Sequence, residues 1–318
     1  MWFKAIFRRK RLATSVPTPR APQRNDEPLF NEHFLLHLER LSLQAQRTLR
    51  GNPTGGEHPS RHQLPGSIFS DHRPYTSGDD LRYVDWNAYA RQDHVLVKLG
   101  EAEQRVNVHI LLDCSKSMVW GQPQRMRVAL RLAGALGYLA LAHNDWLTVT
   151  PFGATALAPF GPTQGKRRIV ELLRYLEAIK PQPQTALADV LRPYALTHER
   201  GGLLIICSDL LDAAGLNTGL QLLHAPRWQV LVVHLVDQLE LSPTLQGPLE
   251  LEDSETGERV QMRLDAEQLA CYKQSMQEWM EQLQRTCTLR GATYTRILTQ
   301  WSLERTIMPY LRIRRLLD

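Results

Sequence analysis

The sequence is poor in cysteine, and its four cysteines are widely spaced, at Cys114, Cys207, Cys271 and Cys287. No two of them form a C-x-x-C motif, which argues against a disulfide framework and against a zinc knuckle. Scattered free thiols are typical of a protein that is kept in a reducing compartment. We therefore expect a cytoplasmic protein whose stability comes from a packed core.

Long apolar runs are absent as well. The longest, at 132–142, is far shorter than the roughly 20 residues that a membrane-spanning helix needs. No apolar segment of secretory length precedes the first basic cluster, so we expect neither a signal peptide nor a membrane span. The composition, 43% hydrophobic and 22% charged, is that of a soluble chain with one large or two ordinary domains.

The net charge of +5 is concentrated at the N-terminus. Residues 1–24 contain seven basic side chains and no acidic one, so the rest of the chain carries −2, which is +5 less these seven charges. We predict that residues 1–28 form a basic, proline-rich disordered tail. Such a tail fits a solubilising arm or a weak contact with the anionic surface of the inner membrane. The nearly neutral body gives no reason to expect a nucleic-acid partner.

The segment before the main domain has an unusual composition. Apolar residues at helical spacing predict an amphipathic helix at 30–50, and a Gly/Pro/His-rich loop follows at 51–65. Residues 66–91 mix acidic and basic side chains with Tyr and Trp, a pattern that favours Arg–carboxylate pairs over ring faces. This segment either binds to the main domain or faces a partner. We predict that residues 29–100 pack on the main domain, which spans 101–318.

Strand and helix patterns alternate along the main domain between residues 106 and 236. This alternation predicts βαβ units, hence a mostly parallel sheet with helices on both faces, a three-layer α/β fold of Rossmann-like type. After this region the sequence pattern predicts a β-hairpin near 239–262, with a turn at 255–258. A long helix from 266, a strand at 293–297 and a closing helix at 303–317 complete the prediction.

One stretch, V-H-I-L-L-D-C-S-K-S-M, stands at the centre of this pattern. Its run of branched apolar residues predicts a strand buried on both faces, which ends at Asp113 and is followed by Ser115 and Ser117. Ligands of open α/β sheets bind at the carboxyl ends of such strands. Asp209 ends a second buried strand and Thr185 opens a predicted helix, so we expect both at the same edge.

Two carboxylates and three hydroxyls, completed by water, suit a hard divalent cation. We predict that Mg²⁺, or alternatively Mn²⁺ or Ca²⁺, is held there by oxygen ligands. The predicted metal ligands are Asp113, Ser115, Ser117, Thr185 and Asp209. A cation with a vacant position would attract a carboxylate from another protein, which favours binding rather than catalysis.

The ligand pattern resembles the metal-ion-dependent adhesion site of von Willebrand factor A domains, D-x-S-x-S with a Thr and an Asp on later loops. The flanks R-P-Y-T-S-G-D-D-L-R-Y-V-D-W-N-A-Y-A-R and V-D-Q-L-E, with L-E-D-S-E-T-G-E, resemble the bacterial domain-of-unknown-function 58 family over about 66–260. The resemblance implies a von Willebrand A-like fold and a role as an adaptor or chaperone-like partner of a MoxR-type AAA+ ATPase. The client would present an acidic side chain to the metal.

Spacing argues against several enzyme classes, and we expect no catalytic activity. A haloacid-dehalogenase phosphatase needs an Asp where Ser115 stands, and a Cys-x₅-Arg loop would need Arg at Trp120 or at Ala213. The glycines near residue 161 lack the spacing and the Ser or Thr of a P-loop. A Mg²⁺-dependent phosphoester hydrolase and a membrane-surface scaffold stay as alternatives. His109 and His234 are predicted to be hydrogen-bonded core residues.

Overall fold

The computed structural model describes residues 28–39 without 33 and 37, residues 68–101 without 78 and 93, residues 106–303 without 199, 224–225, 244–246 and 254–256, and residue 306. The predicted loop at 51–65, nearly all of the predicted tail, much of the predicted helix at 30–50 and nearly all of the predicted closing helix lie outside the described residues. The chain divides into two compact units, Met1–Gln46 with Val106–Asp318, and Arg47–Arg105.

The described part of the smaller unit contains two antiparallel strands, β1 (Ile68–Pro74) and β2 (Leu96–Glu101), and helix α1 (Trp86–Gln92), which lies between them in the sequence. Asp85 caps α1, because its carboxylate accepts hydrogen bonds from the backbone N–H groups of the first helical turn. The same carboxylate contacts His72 Nε2 at 2.9 Å. The charged, aromatic segment therefore contains a regular strand and a helix.

The larger unit contains a six-stranded sheet in the order β10-β7-β6-β3-β4-β5. The first five of these strands are parallel, and β5 runs antiparallel at one edge. In chain order the strands are β3 (Asn107–Asp113), β4 (Trp146–Phe152), β5 (Phe160–Thr163), β6 (Gly202–Ser208), β7 (Trp228–Val236) and β10 (Thr293–Leu298). A separate hairpin, β8 (Gly247–Glu252) with β9 (Arg259–Leu264), corresponds to the hairpin predicted near 239–262 and ends two residues beyond it.

Helices pack on both faces of this sheet, and the predicted three-layer α/β architecture is confirmed. The helices of the larger unit include α2 (Arg125–Ala142), α3 (Ile169–Ala178), α4 (Leu187–Thr197), α5 (Ala213–Leu220), the short α6 (Gln238–Leu241) and α7 (Ala266–Leu289). Alternate residues of β3 enter different cores: Ile110 and Leu112 pack with α2 and α3, whereas Leu111 packs with α4 and α5. A strand buried on both faces explains its unbroken apolar sequence.

Small residues let α2 lie close to its neighbours, as its sequence predicts. A Cβ atom at Gly137 would come within 2.6 Å of Leu172 Cδ2 on α3 and 3.1 Å of Leu147 Cδ2 on β4. Phe34 and Leu38, from the predicted N-terminal helix, are buried in the same core. Among the helices in the described part of the chain, none has both the length and the apolar character that a bilayer span requires.

Both predicted core histidines are buried and hydrogen-bonded to tyrosines, His109 Nδ1 to the Tyr194 hydroxyl at 2.9 Å and His234 Nδ1 to the Tyr294 hydroxyl at 2.7 Å. Burial is the main cause that lowers the pKa of His109 to about 4 and the pKa of His234 to about 3. Both rings therefore stay neutral in the folded protein at pH values where the unfolded chain already binds protons.

We predict that the free energy of unfolding falls as the pH drops below 6.5, the ordinary pKa of histidine. The stability that the two neutral rings contribute is fully present above pH 6.5 and is lost as the pH falls, by about 2.5 kcal/mol per histidine at pH 4.5. Urea unfolding at several pH values measures it. His234→Gln should remove the part of the pH dependence of the free energy of unfolding that comes from His234. Replacement of the exposed His94 by Gln should leave this pH dependence unchanged. Equal curves for both variants would contradict the prediction.

Candidate functional site

The loop after β3 folds around the carboxylate of Asp113. The Ser115 backbone N–H and its hydroxyl both donate to Asp113 Oδ1, at 2.9 and 2.7 Å. A 3₁₀ turn (Lys116–Val119) then places the Ser117 hydroxyl 2.9 Å from the Ser115 hydroxyl. The alternate spacing of the two serines therefore brings both side chains to the same side of the loop as the carboxylate.

A second loop brings Thr185 to the same carboxylate. The Thr185 hydroxyl lies 3.5 Å from Asp113 Oδ2, at the outer limit of a hydrogen bond. The backbone of this loop is fastened to the β3 loop, because Gln182 N–H donates to Cys114 O at 2.6 Å. Gly153, at the end of β4, makes room for it: a Cβ atom there would lie 2.9 Å from the Gln184 carbonyl.

The end of strand β6 and the residue that follows it contribute two neighbouring polar side chains with different partners. The Ser208 hydroxyl donates to Asp113 Oδ2 at 2.6 Å and so joins the cluster directly. Asp209 instead accepts a hydrogen bond from Arg125 Nη1 on its Oδ2, at 2.9 Å, and from the Leu211 backbone N–H on its Oδ1, at 3.3 Å. The two carboxylates are thus close neighbours with separate hydrogen-bond partners.

A buried arginine links this site to the next loop along the sheet. Arg125, the first residue of α2, also donates through Nη1 to the Ser117 carbonyl at 3.1 Å, and its Nη2 pairs with Glu240. Glu240 lies in α6, which Asp237 caps together with the Glu240 side chain itself. The guanidinium therefore connects the β3 loop, the β6 loop and α6.

These groups are shielded from solvent to an unusual degree for ionisable side chains. Asp113 is 1% exposed, Asp209 and Arg125 are each 2% exposed, and Glu240 is 3% exposed. Burial, followed by the nearby charge of Asp209, raises the pKa of the Asp113 carboxyl to about 6, although hydrogen bonds from Ser208 and Ser115 act in the opposite direction. Without a positive partner, an ionised Asp113 therefore lowers the stability of the folded protein.

The predicted ligands meet at one edge of the sheet, as the topology of parallel strands requires. Asp113, Ser115, Ser117 and Thr185 form one hydrogen-bonded cluster, with Asp209 beside it and bound to Arg125. Thr185 lies two residues before α4 rather than opening it, so its hydroxyl is free to turn towards the sheet edge. The role of the five residues as metal ligands stays a prediction.

The cluster fits a hard divalent cation by the chemistry of its donors. Within the described residues, no group of three or more His, Cys, Asp and Glu side chains could hold an ion, so a soft-metal or all-carboxylate site is not formed there. One carboxylate with three hydroxyls and water is an oxygen set of the kind Mg²⁺ uses. A cation at Asp113 would also offset the cost of burying that carboxylate.

Sequence patterns did not identify Arg125, Ser208 or Glu240 as parts of the site. Ser208 directly precedes the predicted ligand Asp209, and Glu240 is the last residue of the V-D-Q-L-E motif, so a signal for both was present. Arg125 opens a helix that is otherwise small and apolar on its buried face. Its role depends on which side of the helix meets the sheet edge, and the sequence alone does not show this.

The fold and the site define a class: a three-layer α/β domain with a hydroxyl- and carboxylate-lined cluster at the carboxyl ends of its central strands. Residues 71–281 match the family described as protein of unknown function DUF58, and the chain belongs to this family. It is 24% identical to uncharacterized proteins of Mycobacterium bovis and Mycobacterium tuberculosis over 225 residues, which cover 69% of this chain and 70% of each relative.

Two solved structures from Bacteroides species were also similar. A conserved hypothetical protein BatB from Bacteroides thetaiotaomicron has 18% identity and a TM-score of 0.39, over 67% of this chain and 100% of that one. An aerotolerance-related membrane protein from Bacteroides fragilis has 17% identity and a TM-score of 0.36, over 65% of this chain and 99% of that one.

Proposed function

We propose that this chain is a protein-binding module that depends on a divalent cation held at Asp113. The observation that carries the proposal is the environment of this carboxylate. It is buried, it accepts hydrogen bonds from hydroxyl and backbone donors, and no basic side chain of the described residues pairs with it. Buried carboxylates of this kind are paired or coordinate metals. The hydroxyls of Ser115, Ser117 and Thr185 would supply further, neutral oxygens.

The charge balance of the wider network supports a cation. Asp209, Asp237 and Glu240 are buried near the guanidinium of Arg125, and Asp113 is a fourth buried carboxylate, close to Asp209. Among the described residues, Arg125 is the one arginine of this network that is buried. One positive charge can compensate for one of these four negative charges. A divalent cation at the cluster would remove most of the remaining imbalance, and an ion with neutral hydroxyl ligands would still attract a carboxylate from a second protein.

The thiol in the loop is poorly suited to nucleophilic catalysis, which argues against a hydrolase that uses Cys114 as its nucleophile. Burial, followed by the charge of Asp113, raises the pKa of Cys114 to about 12, so the reactive thiolate is scarce at neutral pH. Its Sγ is directed to the Leu112 carbonyl at 3.4 Å. A Cys-based phosphatase mechanism would require the opposite conditions, an exposed thiol of low pKa.

We further propose that the partners are a MoxR-type AAA+ ATPase and a client protein that presents an acidic side chain to the cation. Membership in the DUF58 family supports the ATPase partner, because members are often encoded beside such ATPases. The chemistry of the site supports the acidic client, since a carboxylate is the side chain that best completes the oxygen shell of a hard cation.

Affinity purification from native extract tests this proposal. We expect the tagged protein to retain a MoxR-type ATPase or an acidic client in Mg²⁺, and EDTA or Asp113→Ala to reduce retention at least tenfold. The matched control is Asp189→Asn, on the exposed first turn of α4. Retention that survives both EDTA and Asp113→Ala would contradict cation-dependent binding. Turnover of p-nitrophenyl phosphate by the purified protein, lost in Asp113→Ala, would favour the hydrolase instead.

A further inference from the structure

Asp209 differs from the other predicted ligands because its carboxylate already forms an ion pair with a basic side chain of the same chain. Its Oδ2 accepts from Arg125 Nη1 at 2.9 Å, and both side chains are almost fully buried. The place next to Asp113 Oδ2 is taken by the Ser208 hydroxyl, at 2.6 Å. A charge-assisted hydrogen bond shielded from solvent is among the stronger polar contacts in a protein. A cation at Asp113 therefore competes with Arg125 for Asp209.

The position of Arg125 is itself set by several contacts. Nη1 also donates to the Ser117 carbonyl, Nη2 pairs with Glu240, and the guanidinium carbon lies 5.3 Å from the centre of the Trp120 ring. Glu240 is held in turn by α6, where its other carboxylate oxygen accepts the Asp237 backbone N–H at 3.1 Å. Arg125 therefore presents its positive charge to the Asp113 side, and Glu240 lies beyond it.

We propose that Arg125, supported by Glu240, determines the strength of the cation site by keeping Asp209 out of direct coordination. The site then holds its ion through one charged ligand, Asp113, together with neutral oxygens. Such an ion is weakly bound by the chain alone and is completed by the carboxylate of a partner. The inference rests on the proposed function and adds a reason for its partner dependence: the fold itself withholds the second carboxylate.

Removal of the Arg125–Glu240 pair should turn the site into one with two charged ligands. The double variant Arg125→Gln with Glu240→Gln leaves the net charge unchanged, because one positive and one negative charge are lost together. It removes the positive charge that lies closer to the cluster, and it frees Asp209 Oδ2. Both changes favour a cation, since the Coulomb attraction of a carboxylate increases when the neighbouring guanidinium is absent.

The test is direct Mn²⁺ binding by isothermal titration calorimetry, with Mn²⁺ paramagnetic resonance as a second readout and no partner present. We expect the double variant to bind Mn²⁺ at least tenfold more tightly than the wild type, about 1.4 kcal/mol. Adding Asp209→Asn to the double variant should reverse the gain. Replacement of both Arg168 and Glu171, an exposed ion pair on α3 and the turn before it, by Gln is the matched control and should not change Mn²⁺ affinity.

Each outcome separates this inference from the proposal on which it rests. No Mn²⁺ binding by the wild type would overturn the proposed function and the inference together. Wild-type binding without a gain in the double variant would overturn the inference alone. If the double variant is unfolded without Mn²⁺ but folds when Mn²⁺ is added, Asp209 has exchanged Arg125 for the cation, which supports the inference. A double variant that stays unfolded with Mn²⁺ would overturn it.

Discussion

Asp113→Asn is expected to abolish the stabilisation of this protein by Mg²⁺. A ligand at one hundred times its dissociation constant raises the free energy of unfolding of the wild type by about 2.7 kcal/mol. The variant should show no such increase, because an amide supplies neither the charge nor the second carboxylate oxygen that the cation needs. Chemical unfolding with and without Mg²⁺ measures the difference, and Asp189→Asn, on an exposed helical turn, should respond as the wild type does.

When EDTA removes divalent cations, the same substitution should increase the free energy of unfolding instead of lowering it. The folded-state pKa of Asp113, about 6, lies above its ordinary value of 3.8, so the ionised carboxyl costs stability above pH 6 and this cost disappears as the pH falls. At pH 8 we expect Asp113→Asn to be more stable than the wild type by about 3 kcal/mol. The difference should fall to about half at pH 5 and vanish only below pH 3.8, the ordinary pKa of the carboxyl. A variant that is less stable at both pH values would show that Asp113 has a structural role instead.

Arg125→Ala should be among the most destabilising single substitutions in the chain. It removes the buried guanidinium that pairs with both Asp209 and Glu240, and removal of one member of a buried ion pair costs about 3–5 kcal/mol. The free energy of unfolding in urea measures this loss. Part of it should be recovered by Mn²⁺, because the cation can then take the charge of Asp209.

The comparison variant for this experiment is Arg168→Ala. Arg168 forms an ion pair with Glu171 in which both side chains are about half exposed, and exposed pairs contribute at most about 1 kcal/mol. The loss of free energy of unfolding should therefore depend on whether the removed arginine is buried, and not only on the loss of one positive charge. Equal destabilisation by the two substitutions would mean that Arg125 does not hold its partners as the structure indicates.

The main sheet and most of its helices could be predicted because their sequences are locally consistent. Strand β3 is apolar throughout, as a strand buried on both faces must be, and α2 carries a face of small residues that fits a close helix–sheet contact. Strand β5 was not predicted, because two of its four residues are Gly161 and Pro162, which are poor strand formers. Its place at the edge of the sheet comes from pairing with β4.

What the sequence by itself determined is the set of chemical groups at one edge of the sheet. One buried strand ends in Asp113, with hydroxyls two and four residues later, and another is followed directly by Asp209. Because parallel strands finish at the same edge of a sheet, these groups must meet there. Only the tertiary structure decided how those groups are paired. The Ser208 hydroxyl donates a hydrogen bond to Asp113, and Arg125 forms an ion pair with Asp209. The physical reason is that the direction of a buried side chain and the partner of a buried charge depend on packing between elements distant in sequence, which no local pattern records.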